Sequence, residues 1–171
     1  MGFDLHGMNP KLNKPMSEFP TIEKFKGNED KWTILDKDKK LSDKYWKEKD
    51  AYDEINVGNY FRNNCWWWRP LWHFVCSTCE HILTEKQMDS GNYNDGCVIE
   101  EKQAKAISKQ LTKLDKEGLI AKHEVEYEAK RLAQEERNDK DERFAANYPF
   151  SRDNILEFAK FCKESGGFEI W

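Results

Sequence analysis

Three consecutive tryptophans at positions 66, 67 and 68, with a fourth at 72, constrain this chain more than any other feature. Neighbouring side chains on an α-helix point about 100° apart, so one buried stripe cannot hold all three. Trp68, Trp72, Val75, Cys79 and Ile82 recur at spacings of three and four. That pattern predicts an amphipathic helix running to about Leu83, with Pro70 either in its first turn or kinking it. At least one of the three adjacent indoles must then meet a loop, a ligand or solvent.

The rest of the composition fits a water-exposed domain. The 171 residues suffice for one continuous core without metals or disulfides as staples. Hydrophobic residues make up 38%, charged residues 35%, and the mean hydropathy is -0.96. No run approaches the roughly 20 apolar residues of a spanning helix, so no membrane partner is expected. The opening Met1-Gly2-Phe3-Asp4-Leu5-His6-Gly7 lacks the basic and apolar regions of an export signal, and the expected location is the cytoplasm. Five irregularly spaced cysteines are a poor disulfide framework and are expected to be reduced thiols. A net charge of -4 argues against a long nucleic acid, whose affinity comes from many Lys/Arg–phosphate contacts. A small anion needs only one or two arginines.

Periodicity and turn chemistry give a mainly α fold, α+β with a minor short-strand sheet. The expectation is a single domain over residues 1–171, a compact helical body with a projecting charged helical hairpin. Phe3–Gly7 reads as a short strand or arm, and Pro10, Pro15 and Pro20 make residues 8–30 irregular. The chain turns at 36–40, and Ser42 reads as the N-cap of a helix over 43–55 with Tyr45, Tyr52 and Ile55 on one face. Residues 90–96 form a loop by composition. A helix from Glu100 carries Ala104, Ile107, Leu111 and Leu114 and stops at Gly118; a second runs from Leu119 to about Arg143. These two make the hairpin, over 100–143. Ser151 then caps a helix with Ile155, Phe158, Ala159 and Cys162 inward, and Phe168–Trp171 is a closing strand suited to pair with the N-terminal one.

Arg69 beside the tryptophans, with Asn63 and Asn64 just upstream, is suited to stacking on a flat base while hydrogen-bonding its edge or a phosphate. Asn63, Asn64, Trp66, Trp67, Arg69, Tyr148 and the loop residues Asn92, Tyr93, Asn94 and Asp95 form the candidate ligand-binding set. The competing reading packs the tryptophans into the core around Pro70 and uses the asparagines as helix caps. Cys76 and Cys79, with Cys65, Cys97, His73 and His81 nearby in sequence, supply half of a zinc pattern. Buried thiols acting as small hydrophobes explain them better. The four histidines lack paired H-x-S/T spacing, His123-Glu124 is not completed by a histidine at 127, and no Walker loop, nucleophile elbow, deaminase or dinucleotide-binding pattern occurs. Neither a catalytic residue, a metal nor a cofactor is therefore expected. Asp4, His6 and Asp95 are the groups an acid–base reaction would have to use.

Three blocks carry a resemblance: Met1-Gly2-x-Asp4 with Gly7 and Asn9-Pro10; Gly58-x-Tyr60-Phe61-Arg62-Asn63-Asn64-x-Trp66-Trp67-Trp68-Arg69-Pro70-Leu71-Trp72; and Asn147-Tyr148-Pro149-Phe150-Ser151 through Phe161-Cys162 to Ser165-Gly166-Gly167-Phe168-Glu169. Together with the Tyr93-Asn94-Asp95-Gly96 loop they resemble a family of short uncharacterised bacteriophage proteins. The resemblance implies a phage context and makes 11–57 an insertion between the first two blocks, either a lid or a decoration. It brings no activity. The expected function is a phage-encoded, non-catalytic binding protein that sequesters a small nucleotide-like signalling molecule, an anti-defence role in the host cytoplasm. A nucleotide-processing enzyme and a protein–protein inhibitor of a host factor, docking through the hairpin, are the alternatives, and a homo-oligomer is compatible with each.

Overall fold

The computed structural model describes residues 2–136 and 140–171. Four short strands, β1 (Gly2–Gly7), β2 (Tyr60–Asn64), β3 (Cys97–Glu100) and β4 (Gly167–Ile170), form an antiparallel sheet in the order β2-β1-β4-β3. The first and last strands pair as their composition suggested, Leu5 opposite Ile170 and His6 opposite Glu169. Because successive strand residues face opposite ways, Phe3, Leu5, Ile99, Phe168 and Ile170 point into the core. Asp4, His6, Arg62 and Glu169 lie on the outer face.

Helices α4 (Cys65–Thr78), α6 (Glu101–Lys116) and α9 (Arg152–Glu164) make the layer on the inner face. Their apolar stripes meet in a core that fully encloses Trp68, Trp72, Phe158, Phe161, Ile107 and Leu111. Trp68 and Trp72 stack with ring centroids 5.4 Å apart, and Phe3 stacks on Trp68 from the sheet. The inward set foreseen for α9 is buried in full, and Ser151 caps that helix through its hydroxyl. The fold is mainly α with a minor sheet.

Residues 11–57 carry α1 (Pro20–Lys24), α2 (Lys31–Lys37) and α3 (Lys39–Ile55). They have a hydrophobic cluster of their own, built from Phe19, Ile22, Phe25, Leu35, Tyr45 and Tyr52. The two ends of this stretch are tied together: fully buried Asn56 accepts from the amides of Asn13 and Lys14 and donates to the Lys14 carbonyl. Among the described residues no helix is long and apolar enough to cross a membrane.

Several local expectations need correction. Residues 8–30 are not irregular throughout, because Pro20 supplies the preset φ of a first helical position and α1 starts there. Asp38, not Ser42, caps α3, its carboxylate accepting from the Leu41 amide at 3.1 Å. Helix α4 stops at Thr78, well short of Leu83. The Ser77 and Thr78 hydroxyls both bond the Phe74 carbonyl, and side chains of this kind compete with continued helix. Thr84 and Gln87 then close a capping box that opens α5 (Glu85–Ser90). The hairpin forms around Gly118, whose φ of +72° suits the absence of a side chain. Its α6 arm is a core helix, and only α7 (Leu119–Glu135), with Ile120 buried, stands toward solvent. The single helix expected to reach Arg143 ends at Glu135, and Lys140–Ala145 form a separate α8. Residues 137–139, on which that expectation also falls, lie outside the described residues.

Candidate functional site

Asn64 ends β2 and starts α4. Its side-chain oxygen accepts from the amides of Trp66 and Trp67 at 3.0 and 3.1 Å, an N-cap of the kind whose loss costs about 1 kcal/mol. This cap sets the rotation at which the tryptophans leave the helix. Trp68 turns inward and donates its indole N–H to the Gly91 carbonyl at 2.9 Å, and Trp72 donates to Met88 at 3.1 Å. Trp67 remains 37% exposed and Trp66 half-buried. Core packing therefore accounts for Trp68 and Trp72, while the other two indoles stay accessible.

Trp66 lies against Tyr148, with centroids 4.8 Å apart, and against Phe144. One turn along α4, Arg69 donates to the Tyr148 hydroxyl at 2.7 Å. Pro70 sits inside the helix, beyond its first turn, and has no N–H to give the Trp66 carbonyl. The segment around Tyr148 is fastened to α7. Tyr127 donates its hydroxyl to the Tyr148 carbonyl, Arg131 donates to that of Ala146, and the carboxylates of Glu124 and Glu128 accept from the amides of Arg152 and Phe150. These four α7 residues fall at spacings of three and four, on one helix face.

Two cavities result. One, of about 440 Å³, is bordered by Arg69, Pro70 and His73 of α4, by Tyr127, Lys130, Arg131 and Gln134 of α7, and by Ala145 and Tyr148. The other, of about 430 Å³, is bordered by Asn64, Trp66, Trp67, Asn147 and Pro149. They adjoin through the Trp66–Tyr148 contact. Arg131 is held by Glu128 at 2.7 Å, and that bond, outweighing the effect of burial, raises its pKa. Arg69 and Lys130 have no carboxylate partner among the described residues. Two cations without a carboxylate partner among the described residues thus border a cavity walled by tyrosine rings.

The structure brings together Asn64, Trp66, Trp67, Arg69 and Tyr148 from the candidate set. It directs the others elsewhere. Asn63 donates to Asn154 at 3.0 Å and ties β2 to α9. Asn92 donates to the carbonyls of Met88 and Asp89 at the end of α5. Asn94 reaches the Gly2 carbonyl at 3.5 Å, and Tyr93 and Asp95 are exposed. None of these five borders either cavity. Conversely His73, Tyr127, Lys130, Arg131, Gln134 and Asn147 were missed, although Tyr127, Lys130, Arg131 and Gln134 have the i, i+3, i+4, i+7 spacing of one helix face.

Among the acid–base candidates, Asp4 accepts from the Tyr60 hydroxyl and pairs with Arg62 at 3.4 Å. Burial and this bond together push the Tyr60 hydroxyl far above its ordinary range. Burial also pushes the Cys76 thiol up to about 12 and Cys79 to about 11, which suits small hydrophobes rather than metal-ligating thiolates. Among the described residues no group of three or more His, Cys, Asp or Glu is placed to hold a metal ion. Comparison with protein-family models, curated proteins and solved structures finds no match, so the chemistry of the site rests on its own residues.

Proposed function

We propose that the protein is a non-catalytic binder of a small, flat anion of the nucleotide class, held between α4 and α7. The observation that carries this reading is the pair of cations without a carboxylate partner among the described residues, Arg69 and Lys130, at a cavity of about 440 Å³ bordered by Tyr127 and Tyr148. The volume lies within the range of small-molecule sites, aromatic faces suit a base, and guanidinium and ammonium groups suit a phosphate. Trp66 and Trp67 extend the aromatic surface next door. Of the acid–base candidates of the enzyme alternative, Asp4, His6 and Asp95, none borders the cavity, and Asp4 is engaged with Tyr60 and Arg62. With the resemblance to bacteriophage proteins, the reading extends to sequestration of a host signalling nucleotide, for which affinity and abundance suffice.

Thermal unfolding in the presence of cyclic nucleotides and ADP-ribose derivatives tests it. A ligand at one hundred times its dissociation constant stabilises the native state by about 2.7 kcal/mol, a rise of several degrees. Arg69→Ala should remove most of that rise, and ligand recovered after heating should be chemically intact. The absence of a shift with every compound would refute the binder, and a converted product would favour the enzyme.

A further inference from the structure

The other arm of the hairpin carries a second charged surface. Lys105, Lys109 and Lys113 follow one another at four-residue spacing along α6, with Lys116 three residues on, a row about 16 Å long at 1.5 Å per residue. Lys163 of α9 joins them across a groove of about 1060 Å³, more than twice the volume of the Arg69 cavity. Among the described residues five lysines and one glutamate border it, in a chain whose net charge is -4. Lys105 is held by Glu101, and Lys113 reaches Glu117 at 3.9 Å. Lys109, Lys116 and Lys163 have no carboxylate partner among the described residues.

Like charges four residues apart on a helix disfavour it by a few tenths of a kcal/mol per pair, which the Glu101 and Glu117 pairs and the last-turn positions of Lys113, Lys116 and Lys163 offset in part, Lys109 having neither. An anion lying along the groove would reverse that repulsion. The residue types narrow its chemistry. Among the described residues no arginine borders the groove, so the planar fork that holds a carboxylate or a single phosphate in one fixed bidentate geometry is absent there. Among the described residues no phenylalanine, tyrosine or tryptophan borders it either, so it lacks the stacking platform of single-strand nucleic-acid sites. Flexible ammonium point charges suit phosphate groups that follow one another without fixed orientation. We propose that the groove between α6 and Lys163 binds a linear chain of phosphates, inorganic polyphosphate being the simplest representative. This site is separate from the Arg69 cavity and shares no bordering residue with it.

Calorimetric titration of the full chain with short-chain sodium polyphosphate, repeated over a series of salt concentrations, reads the proposal. Binding should weaken steeply with salt. The triple variant Lys109→Gln, Lys116→Gln, Lys163→Gln should bind at least tenfold more weakly at low salt and lower the salt slope by about three, one for each lysine. All three side chains are exposed, so the variant should keep its melting temperature. Arg69→Ala should bind polyphosphate as the unaltered chain does. No binding at low salt, an unaffected triple variant, or loss of binding in Arg69→Ala would overturn the assignment. Equal affinity for polyglutamate or for an oligothymidylate of matched charge would overturn it too, since the groove would then not be selecting phosphate chains.

Discussion

Replacing Gly91 by alanine tests whether Trp68 and Trp72 are structural. Gly91 has φ of -65°, a conformation alanine adopts readily, so the backbone alone would favour the substitution by a few tenths of a kcal/mol. The side chain decides otherwise. A Cβ there would lie 2.3 Å from two ring carbons of Trp72 and 2.5 Å from its indole nitrogen. The ring is fully buried, stacked on Trp68 and bonded to Met88, so it cannot swing into free space as an exposed side chain would. Ordinary contact requires a shift on the order of 1 Å, and overpacking of this kind costs about 1–3 kcal/mol. Straining or breaking the buried Trp72–Met88 bond adds about 1 kcal/mol or more. The expected destabilisation is about 3 kcal/mol, or roughly 6–12 °C in Tm for a domain of this size. Denaturant unfolding should show a lower midpoint with an unchanged slope. Ligand affinity at 20 °C should survive, because neither indole borders the Arg69 cavity. A variant within about 0.5 kcal/mol of the parent would refute the assignment of these rings as an unyielding core.

Two further outcomes follow from buried titratable groups. At pH 8 the thiols of Cys76 and Cys79, raised by burial to about 12 and about 11, are protonated, and burial raises Cys97 and Cys162 as well. A disulfide reagent should therefore label Cys65 rapidly in the native protein and the remaining four only on unfolding; rapid reaction of two or more would contradict this. His123 packs against Phe74 and Phe150 at 4.8 and 4.7 Å, and burial lowers its pKa below 6.5, with Glu126 opposing and Lys130 assisting. Below pH 6.5 the unfolded chain takes up a proton that the folded chain resists, so stability should fall from there down through the folded pKa. The Tm of His123→Phe should vary less with pH across that window, and an unchanged pH profile would show that other groups govern it.

The tryptophan argument was legible because helix geometry limits what one stripe can hold, and the split of Trp68 and Trp72 from Trp66 and Trp67 is that limit in three dimensions. The pairing of the terminal strands and the inward face of α9 were legible too, each written in a run of apolar residues. Strands β2 and β3 were not. They are five and four residues long and run directly into α4 and α6, so no alternation separates them from the helix that follows. Helix α5 was written plainly in the Thr84-x-x-Gln87 box and was missed. For the site, composition marks residues 92–95 as a loop, but cannot distinguish side chains that finish a helix, as Asn92 does, from side chains that line a cavity. The contribution of α7 was hidden because its ordering face is polar, and hydrophobic periodicity does not register it.

That polar face bears on how the site binds. One wall of the Arg69 cavity belongs to α4, which is anchored through Trp68, Leu71, Trp72 and Val75 in the core. The opposite wall belongs to α7, which buries Ile120, packs His123 on Phe74 and Phe150, and is fastened to residues 146–152 by hydrogen bonds of Glu124, Tyr127, Glu128 and Arg131. Hydrogen bonds of this kind contribute about 0.5–1.5 kcal/mol each, more where charged, so the α7 wall is held by a few kcal/mol while the α4 wall shares the stability of the core. A ligand spanning Arg69 and Lys130 must have both walls in place, and the free energy needed to dock α7 subtracts from its affinity. Glu128 is then a positioning residue: it does not border the cavity, yet it holds Arg131 and the Phe150 amide, and through them the wall against which the ligand would rest.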